Sequence, residues 1–318
     1  MSVTYNLSVI IPCFNVENYI ARCMDSVINQ SLSNIQIIII DDASTDNTVS
    51  IVRQYMQVYE NIELYQNTIN KGTGEARNIG LQKVRAPLVC FLDADDWMDT
   101  NAYLALSLAI EKNNADIAVC GIKTEFDNSC LSEFRYKYLH ENLIQGRFAL
   151  KLLCKTEVQD IYISPIPNNK MFRSEFVFEK GLVFPALSFA EDDSFSFHSF
   201  YYAEKVIIVP DTFLHYYQRE QSAMHIFTKD KIDNVLISFE EIRQTLQHDN
   251  TFETYSKEFF SFLDKCITSL MDMIFSFEQK TQIQKQYIEY LIEQLLKHYT
   301  LNELLEYLDL NRIKRFFI

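Results

Sequence analysis

The chain of 318 residues holds only six glycines and six prolines, and neither residue occurs after Pro210. Nothing in that last stretch would break a helix. Basic residues are also scarce, with 29 Lys and Arg against 43 Asp and Glu and a net charge of −14. No basic stripe follows any segment, so a nucleic-acid partner is excluded. The seven cysteines contain no C-x-x-C pair. They are odd in number and scattered, several within apolar runs, which argues against a disulfide or zinc framework and for reduced core thiols in a cytosolic protein. The six histidines show no ligand spacing. No apolar run approaches the length of a membrane span. The N-terminus lacks the basic and apolar regions of a signal peptide, and we expect a cytoplasmic protein. What is present is ordinary for a soluble globular chain, and its length predicts one large domain plus an appendage.

Residues 88 to 97, Leu-Val-Cys-Phe-Leu-Asp-Ala-Asp-Asp-Trp, organise the rest. Leu88 to Leu92 reads as a strand buried on both faces, and it runs into Asp93, Asp95 and Asp96. Carboxylates grouped at a strand's C-terminal end repel one another unless a cation sits among them. In open α/β sheets that end is also where ligands bind. Hard oxygen ligands suit Mg²⁺ or Mn²⁺. The alternative is a solvated acidic turn capping the next helix through Asp99 or Thr100.

Further strands are predicted at Leu7 to Ile11, Ile35 to Ile40, Ile62 to Tyr65, Ile117 to Cys120, Val206 to Val209 and Phe213 to Tyr217. The second ends in Asp41 and Asp42. Helical spacing fills the gaps from about Glu17, after Ser44-Thr45-Asp46, and over Ala102 to Ile110. Alternating strands and helices predict right-handed crossovers and a mostly parallel sheet. From Lys123 to residue 186 the pattern loosens, with a helix predicted over Gln145 to Cys154. Beyond Lys229, repeated apolar stripes predict three or four helices. The chain ends in the basic, aromatic tail Arg312-Ile-Lys-Arg-Phe-Phe-Ile318. That tail would either lie on an anionic membrane or pack against a helix or a second subunit.

Half of the glycines, Gly72, Gly74 and Gly80, fall between Asn70 and Gly80, so the backbone there must turn tightly or be approached closely. No Gly-Lys-Ser/Thr follows, which excludes a Walker A loop. Arg77 stands where a dinucleotide fingerprint needs its third glycine. Arg77 would either neutralise a phosphate or lie in solvent on a helix face. Asp192, near the start of a helical pattern, has an N-cap role as its alternative. Trp97 and the aromatic stretch 195 to 202 read as core or as a sugar platform.

Several segments stand in a characteristic order: Leu7-Ser-Val-Ile-Ile-Pro-Cys-Phe-Asn15, Ile37-Ile-Ile-Ile-Asp-Asp-Ala-Ser-Thr-Asp46, Asn70 with Ala76-Arg-Asn-Ile-Gly80, and Phe91-Leu-Asp-Ala-Asp-Asp-Trp97. Asn169-Lys-Met-Phe-Arg173, Glu191-Asp-Asp193 and Tyr216-Tyr-Gln-Arg219 with Ser222 follow. Together they resemble a family 2 glycosyltransferase of the GT-A fold, the bacterial polysaccharide-building kind, over roughly residues 7 to 225. The resemblance implies a nucleotide-sugar donor, most simply a UDP-sugar, a Mn²⁺ or Mg²⁺ ion, and displacement with inversion at the anomeric carbon. It implies a hexosyl- or N-acetylhexosaminyl-transferase acting on a glycan or lipid-linked acceptor, peripheral at the inner membrane face.

By the same resemblance, Pro12 and Asp42 line the nucleoside pocket, and Asn70 and Arg77 lie near the ribose and diphosphate. Asn15 and Ala94 belong to the nucleotide-sugar site. Asp93-Ala94-Asp95 matches the metal motif, with Asp95 the direct ligand and Asp93 beside it. Asp192 matches the catalytic base, while Arg219 and Ser222 match a segment that closes on the diphosphate. Tyr-Tyr-Gln-Arg departs from the commoner Tyr-x-Tyr-Arg. The expected organisation is a catalytic domain over 1–225 and a helical region over 226–318 that offers a surface for homo-oligomers. A sugar-nucleotide pyrophosphorylase would need a glycine-rich, basic loop after the first strand, and Pro12 to Tyr19 has neither. A non-catalytic subunit that only binds nucleotide sugar is the other alternative.

Overall fold

The computed structural model describes residues 4–126, 132–157, 161–218, 227–276 and 281–308. Arg219, Ser222, the expected boundary at 225/226 and the tail from Arg312 lie outside these described residues. The chain divides into two compact units, Met1–Ala149 with Ile163–Arg219, and Leu150–Tyr162 with Glu220–Ile318.

The first unit begins β1 (Leu7–Cys13), α1 (Ile20–Ile28), β2 (Ile35–Asp41), α2 (Thr48–Met56), β3 (Ile62–Gln66), α3 (Thr73–Leu81) and β4 (Leu88–Phe91). It continues with β5 (Trp97–Met98), α4 (Ala102–Asn113), β6 (Ile117–Phe126), β7 (Ser132–Tyr136) and β8 (Asn142–Gln145). Helix α5 (Gly146–Cys154) starts in this unit, and β9 (Lys170–Arg173), α6 (Ser174–Glu179), α7 (Glu191–Tyr202) and β10 (Lys205–Gln218) complete it. One sheet runs β3-β2-β1-β4-β9-β6-β10-β5, with β7 added to β6 and β8 to β10. Every residue of β1 and β2 is buried, as unbroken apolar runs require of strands covered on both faces. The β3-β2-β1-β4 half is parallel. Strand order reverses at β1, which has β2 on one side and β4 on the other, so a ligand crevice opens at their C-terminal ends.

The other half departs from the expected pattern. Strand β9 inserts antiparallel between β4 and β6. Its residues, Lys-Met-Phe-Arg, are too short and too charged to announce a strand. The two strands expected around Pro210 are one, β10, whose pairing with β6 shifts register between Ile208 and Phe213. Pro210 cannot donate to the ladder and Asp211 adopts φ 54°, so the strand bulges there and continues. The aromatic stretch on α7 is core: Phe195, Phe197 and Phe200 are buried, and Phe195 packs with Phe91, Phe172 and Phe184.

In the second unit, α8 (Lys229–His248), α9 (Phe252–Phe275), α10 (Thr281–His298) and α11 (Leu301–Tyr307) pack through their apolar stripes. Phe239, Phe259 and Phe262 form the aromatic centre of the α8–α9 contact. No helix among the described residues is long and apolar enough to cross a membrane.

Helix α3 lies close on the sheet because Gly80 faces Ile10, where an added Cβ would fall 2.3 Å from the Ile10 Cγ2. Gly80→Ala should therefore overpack this contact and cost about 1–3 kcal/mol. The midpoint of urea unfolding measures the effect, and an unchanged midpoint would show that α3 can shift freely.

Candidate active site

The glycines of the Asn70–Gly80 segment serve the chain's own fold. Gly72 turns into α3 at φ 88°. At Gly74 an added Cβ would sit 2.5 Å from the Pro185 carbonyl oxygen and 3.3 Å from the Glu191 side chain. The close approach is thus made by residues 185–191 of the same chain. Asn78 fastens the same segment, its amide donating to the Phe184 carbonyl at 2.8 Å and accepting from the Phe184 N–H at 2.9 Å. Helix α7 is thereby delivered onto α3, and its first turn meets Arg77.

Arg77 is 1% exposed, so the solvent-facing alternative is wrong. Its Nη2 donates to Asp93 at 2.8 Å, and its Nη1 donates to Asp192 at 2.7 Å and to Glu191 at 3.1 Å. Phe184 covers the guanidinium, and Nε is buried without a partner. One cation cannot neutralise three carboxylates, of which Glu191 is buried and Asp93 and Asp192 are partly exposed. Burial pushes Asp192 up to about 8 against the pull of Arg77, with Glu191 and Asp93 adding to the rise. Burial raises Glu191 as well, again opposed by Arg77. The cluster therefore retains a proton near neutrality. Asp192 is not an N-cap: Ala190 occupies that position without a side-chain cap bond, and Asp192 lies in the first turn. Its side chain remains 25% exposed.

Asp95 and Asp96 continue the turn after β4. Asp96 is buried, accepting from the Tyr217 N–H at 2.9 Å and from the Asn168 amide at 3.3 Å. Burial, then Asp95 and Asp93, push it well above the carboxylate range. Asp95 is partly exposed. Among the described residues no group of three or more His, Cys, Asp or Glu is arranged to hold a metal alone. Asp93 is already shared with Arg77, so a divalent ion would rest on Asp95, with Asp93 beside it, and on oxygens brought by a diphosphate. That donor set fits Mg²⁺ or Mn²⁺.

The other expected residues gather at the ends of β1 and β2. Asp42 accepts from the Lys71 N–H at 2.9 Å, the Gly72 N–H at 2.8 Å and the Asn67 amide at 2.7 Å. It therefore anchors the loop into α3. Asn70 is exposed and caps the Gly72 N–H at 3.1 Å. Asn15, at φ 51°, accepts from the Thr45 N–H at 2.8 Å and joins the two loops. Pro12 is buried in β1, and Ala94 is buried between the acidic residues. Two residues had no role in the sequence reading. Glu191 was visible only as the neighbour of Asp192. Phe14, 45% exposed beside this edge, carried the weak signal of an aromatic just after a buried strand.

Arg77→Met keeps the bulk but leaves three carboxylates without their cation. It should cost about 3–5 kcal/mol at pH 7.5, and less at pH 5 where Glu191 and Asp192 take up protons. Urea unfolding at both pH values measures this. An equal loss at both would mean that packing, and not charge, dominates.

The family described as "Glycosyl transferase family 2" matches residues 8–175. EpsH of Bacillus subtilis (strain 168), a glycosyltransferase by its name, is 27% identical over 81% of this chain and 74% of its own. Poly(ribitol-phosphate) beta-glucosyltransferase of Bacillus spizizenii is 26% identical over 69% of this chain, which spans only 33% of that longer protein. Among solved structures, S. aureus TarS 1-349 in complex with UDP-GlcNAc superposes with TM-score 0.72 at 21% identity, covering 92% of this chain and 82% of that one. The mannosyltransferase PcManGT from Pyrobaculum calidifontis, in complex with GDP-Man and Mn²⁺, gives 0.54 at 16% identity over 94% and 82%. The fold is therefore the GT-A arrangement, a mixed sheet whose parallel half ends in carboxylates, and with more than half of its length matched the chain belongs to glycosyltransferase family 2.

Proposed function

We propose that the chain is an inverting glycosyltransferase that moves a sugar from a nucleotide-diphosphate sugar, most simply a UDP-sugar, to an acceptor hydroxyl of a glycan or lipid-linked glycan. The observation that carries this reading is the Arg77 cluster, which joins Asp93 of the β4 turn to Asp192 of α7. It sets the expected metal motif and the expected base on opposite branches of one guanidinium. The TarS structure with UDP-GlcNAc and the PcManGT structure with GDP-Man and Mn²⁺ support the donor class.

In this mechanism the exposed ring of Phe14 stacks on the base, and Pro12, Asn15, Asp42 and Asn70 shape the nucleoside pocket. Asp95, with Asp93 beside it, would hold the ion, which when bound neutralises charge on the departing diphosphate. Arg77 engages Oδ1 of Asp192 only, which leaves Oδ2 for the acceptor. Asp192 takes the acceptor proton as the acceptor oxygen bonds to the anomeric carbon. The bond from that carbon to the phosphate oxygen breaks with its electron pair, and the nucleoside diphosphate leaves. A free-enzyme base raised to about 8 must lose its proton first. The value of kcat/KM should therefore fall as pH drops below about 8.

Asp192→Asn is nearly isosteric and can still accept from Arg77, but it cannot take a proton. It should lose ~10²–10⁴-fold in transfer rate. Donor affinity, read by calorimetry with UDP and Mn²⁺, should stay near wild type. Asp193→Asn is the control, with a much smaller effect expected. Transfer by Asp192→Asn within a few-fold of wild type, or no transfer by the wild type from any nucleotide sugar tested, would overturn the reading.

A further inference from the structure

Helix α1 carries a polar ladder that the apolar stripe of its other face conceals. Arg22 and Ser26 stand four residues apart and so share one side of the helix, and Gln30 follows two residues past its end. Each grips the segment that follows β4. The Arg22 Nη2 donates to the Asp95 carbonyl at 2.9 Å. The Ser26 hydroxyl accepts from the Met98 N–H at 3.3 Å. The Gln30 amide donates to the Asp99 carbonyl at 2.8 Å and accepts from the Tyr103 N–H at 3.1 Å. From the same helix, Cys23 donates its thiol hydrogen to the Asp93 carbonyl at 3.6 Å. Main-chain groups from Asp93 to Met98 are thus held by α1, and those of Asp99 and Tyr103 by Gln30 just after it.

Arg22 is the rung nearest the chemistry, and it is fixed on its other sides. Its guanidinium lies 3.9 Å from the centre of the Trp97 ring and 4.3 Å from that of Tyr217. Trp97 in turn stacks on His215 at 5.0 Å and 11°. Both imidazole nitrogens of His215 lie 2.7 Å from carboxylate oxygens, of Glu125 and of Asp99. Only an imidazolium can donate to both. Trp97 is thereby engaged by two cationic groups, and it acts as a strut rather than a bare platform for sugar.

We propose that Arg22 is a positioning residue for Asp95: it fixes the main chain of the acidic turn so that the Asp95 carboxylate faces an incoming metal–diphosphate. This role rests on the metal-assisted reading above. It also explains why an arginine stands here. A guanidinium can lie flat against a ring while its edge reaches a carbonyl, which an ammonium cannot do.

The test is calorimetric titration of UDP with and without Mn²⁺, paired with thermal unfolding, on wild type, Arg22→Lys and Arg22→Met. Displacing groups that orient a metal ligand typically costs about 10–100-fold in metal affinity. Both variants should therefore lose at least about tenfold in Mn²⁺-dependent UDP affinity while metal-free UDP affinity is unchanged. Arg22→Lys keeps the cation near Trp97 and should unfold close to wild type, which separates positioning from stability should Arg22→Met fold poorly. Transfer should show the loss as a raised donor KM at fixed Mn²⁺. Mn²⁺-dependent affinity of Arg22→Lys within about twofold of wild type would overturn the proposal and leave the function standing. Wild-type UDP affinity that ignores Mn²⁺ would overturn both.

Discussion

A single buried guanidinium holds the catalytic half of this protein together. Arg77 lies on α3, Asp93 on the turn after β4, and Glu191 and Asp192 on α7, which enters from more than a hundred residues further along. None of these carboxylates would sit so near the others without it, because desolvated like charges repel strongly. Desolvating the arginine is itself costly and is offset only when its donors are met. The geometry meets both Nη atoms and leaves Nε buried and unpaired. This arrangement fixes position more than it maximises stability. Residues nearby serve the same end: Gly74 makes room for Glu191, Asn78 pairs with Phe184, and Gly80 lets α3 settle on Ile10.

Much of this was legible in the sequence, for reasons that differ by residue. Leu7 to Ile11 and Ile35 to Ile40 announced themselves because strands buried on both faces need uninterrupted apolar runs. The four C-terminal helices did so because their stripes repeat without a breaker. Strand β9 did not, since Lys170 is fully buried and balanced by tertiary partners, donating to the carbonyls of Ser164 and Ile166 and to the Asn169 side chain. Strand β5 is two residues long and exists only because β10 passes beside it.

At the site, residue types were readable and their partners were not. Helical spacing offered Arg77 two fates, phosphate or solvent, while the structure gives a third, a bond to three of the chain's own carboxylates. The glycine segment predicted a close approach but not by what. The ladder was hidden for a related reason: Arg22 and Ser26 are ordinary on a polar face of α1 and Gln30 in the turn after it, and only β5 and α4 lying alongside turn them into contacts.

The same geometry bears on how an acidic protein can accept an anionic donor. An unoccupied helix N-terminus with free backbone N–H groups is a natural cradle for phosphate. At the entry to α3 part of this resource is committed, because Asp42 takes the N–H groups of Lys71 and Gly72, which precede the first turn. Arg77 is likewise committed to its carboxylates. A diphosphate arriving at the end of β4 therefore meets a net surplus of negative charge, and Arg77 cannot compensate it without breaking bonds that hold the site. The compensation has to arrive with the donor or close over it. That requirement argues for a divalent cation shared between Asp95 and the diphosphate. It also explains why the turn carrying Asp95 is held at its main chain by α1, since an ion with so few protein ligands depends on each of them being in place.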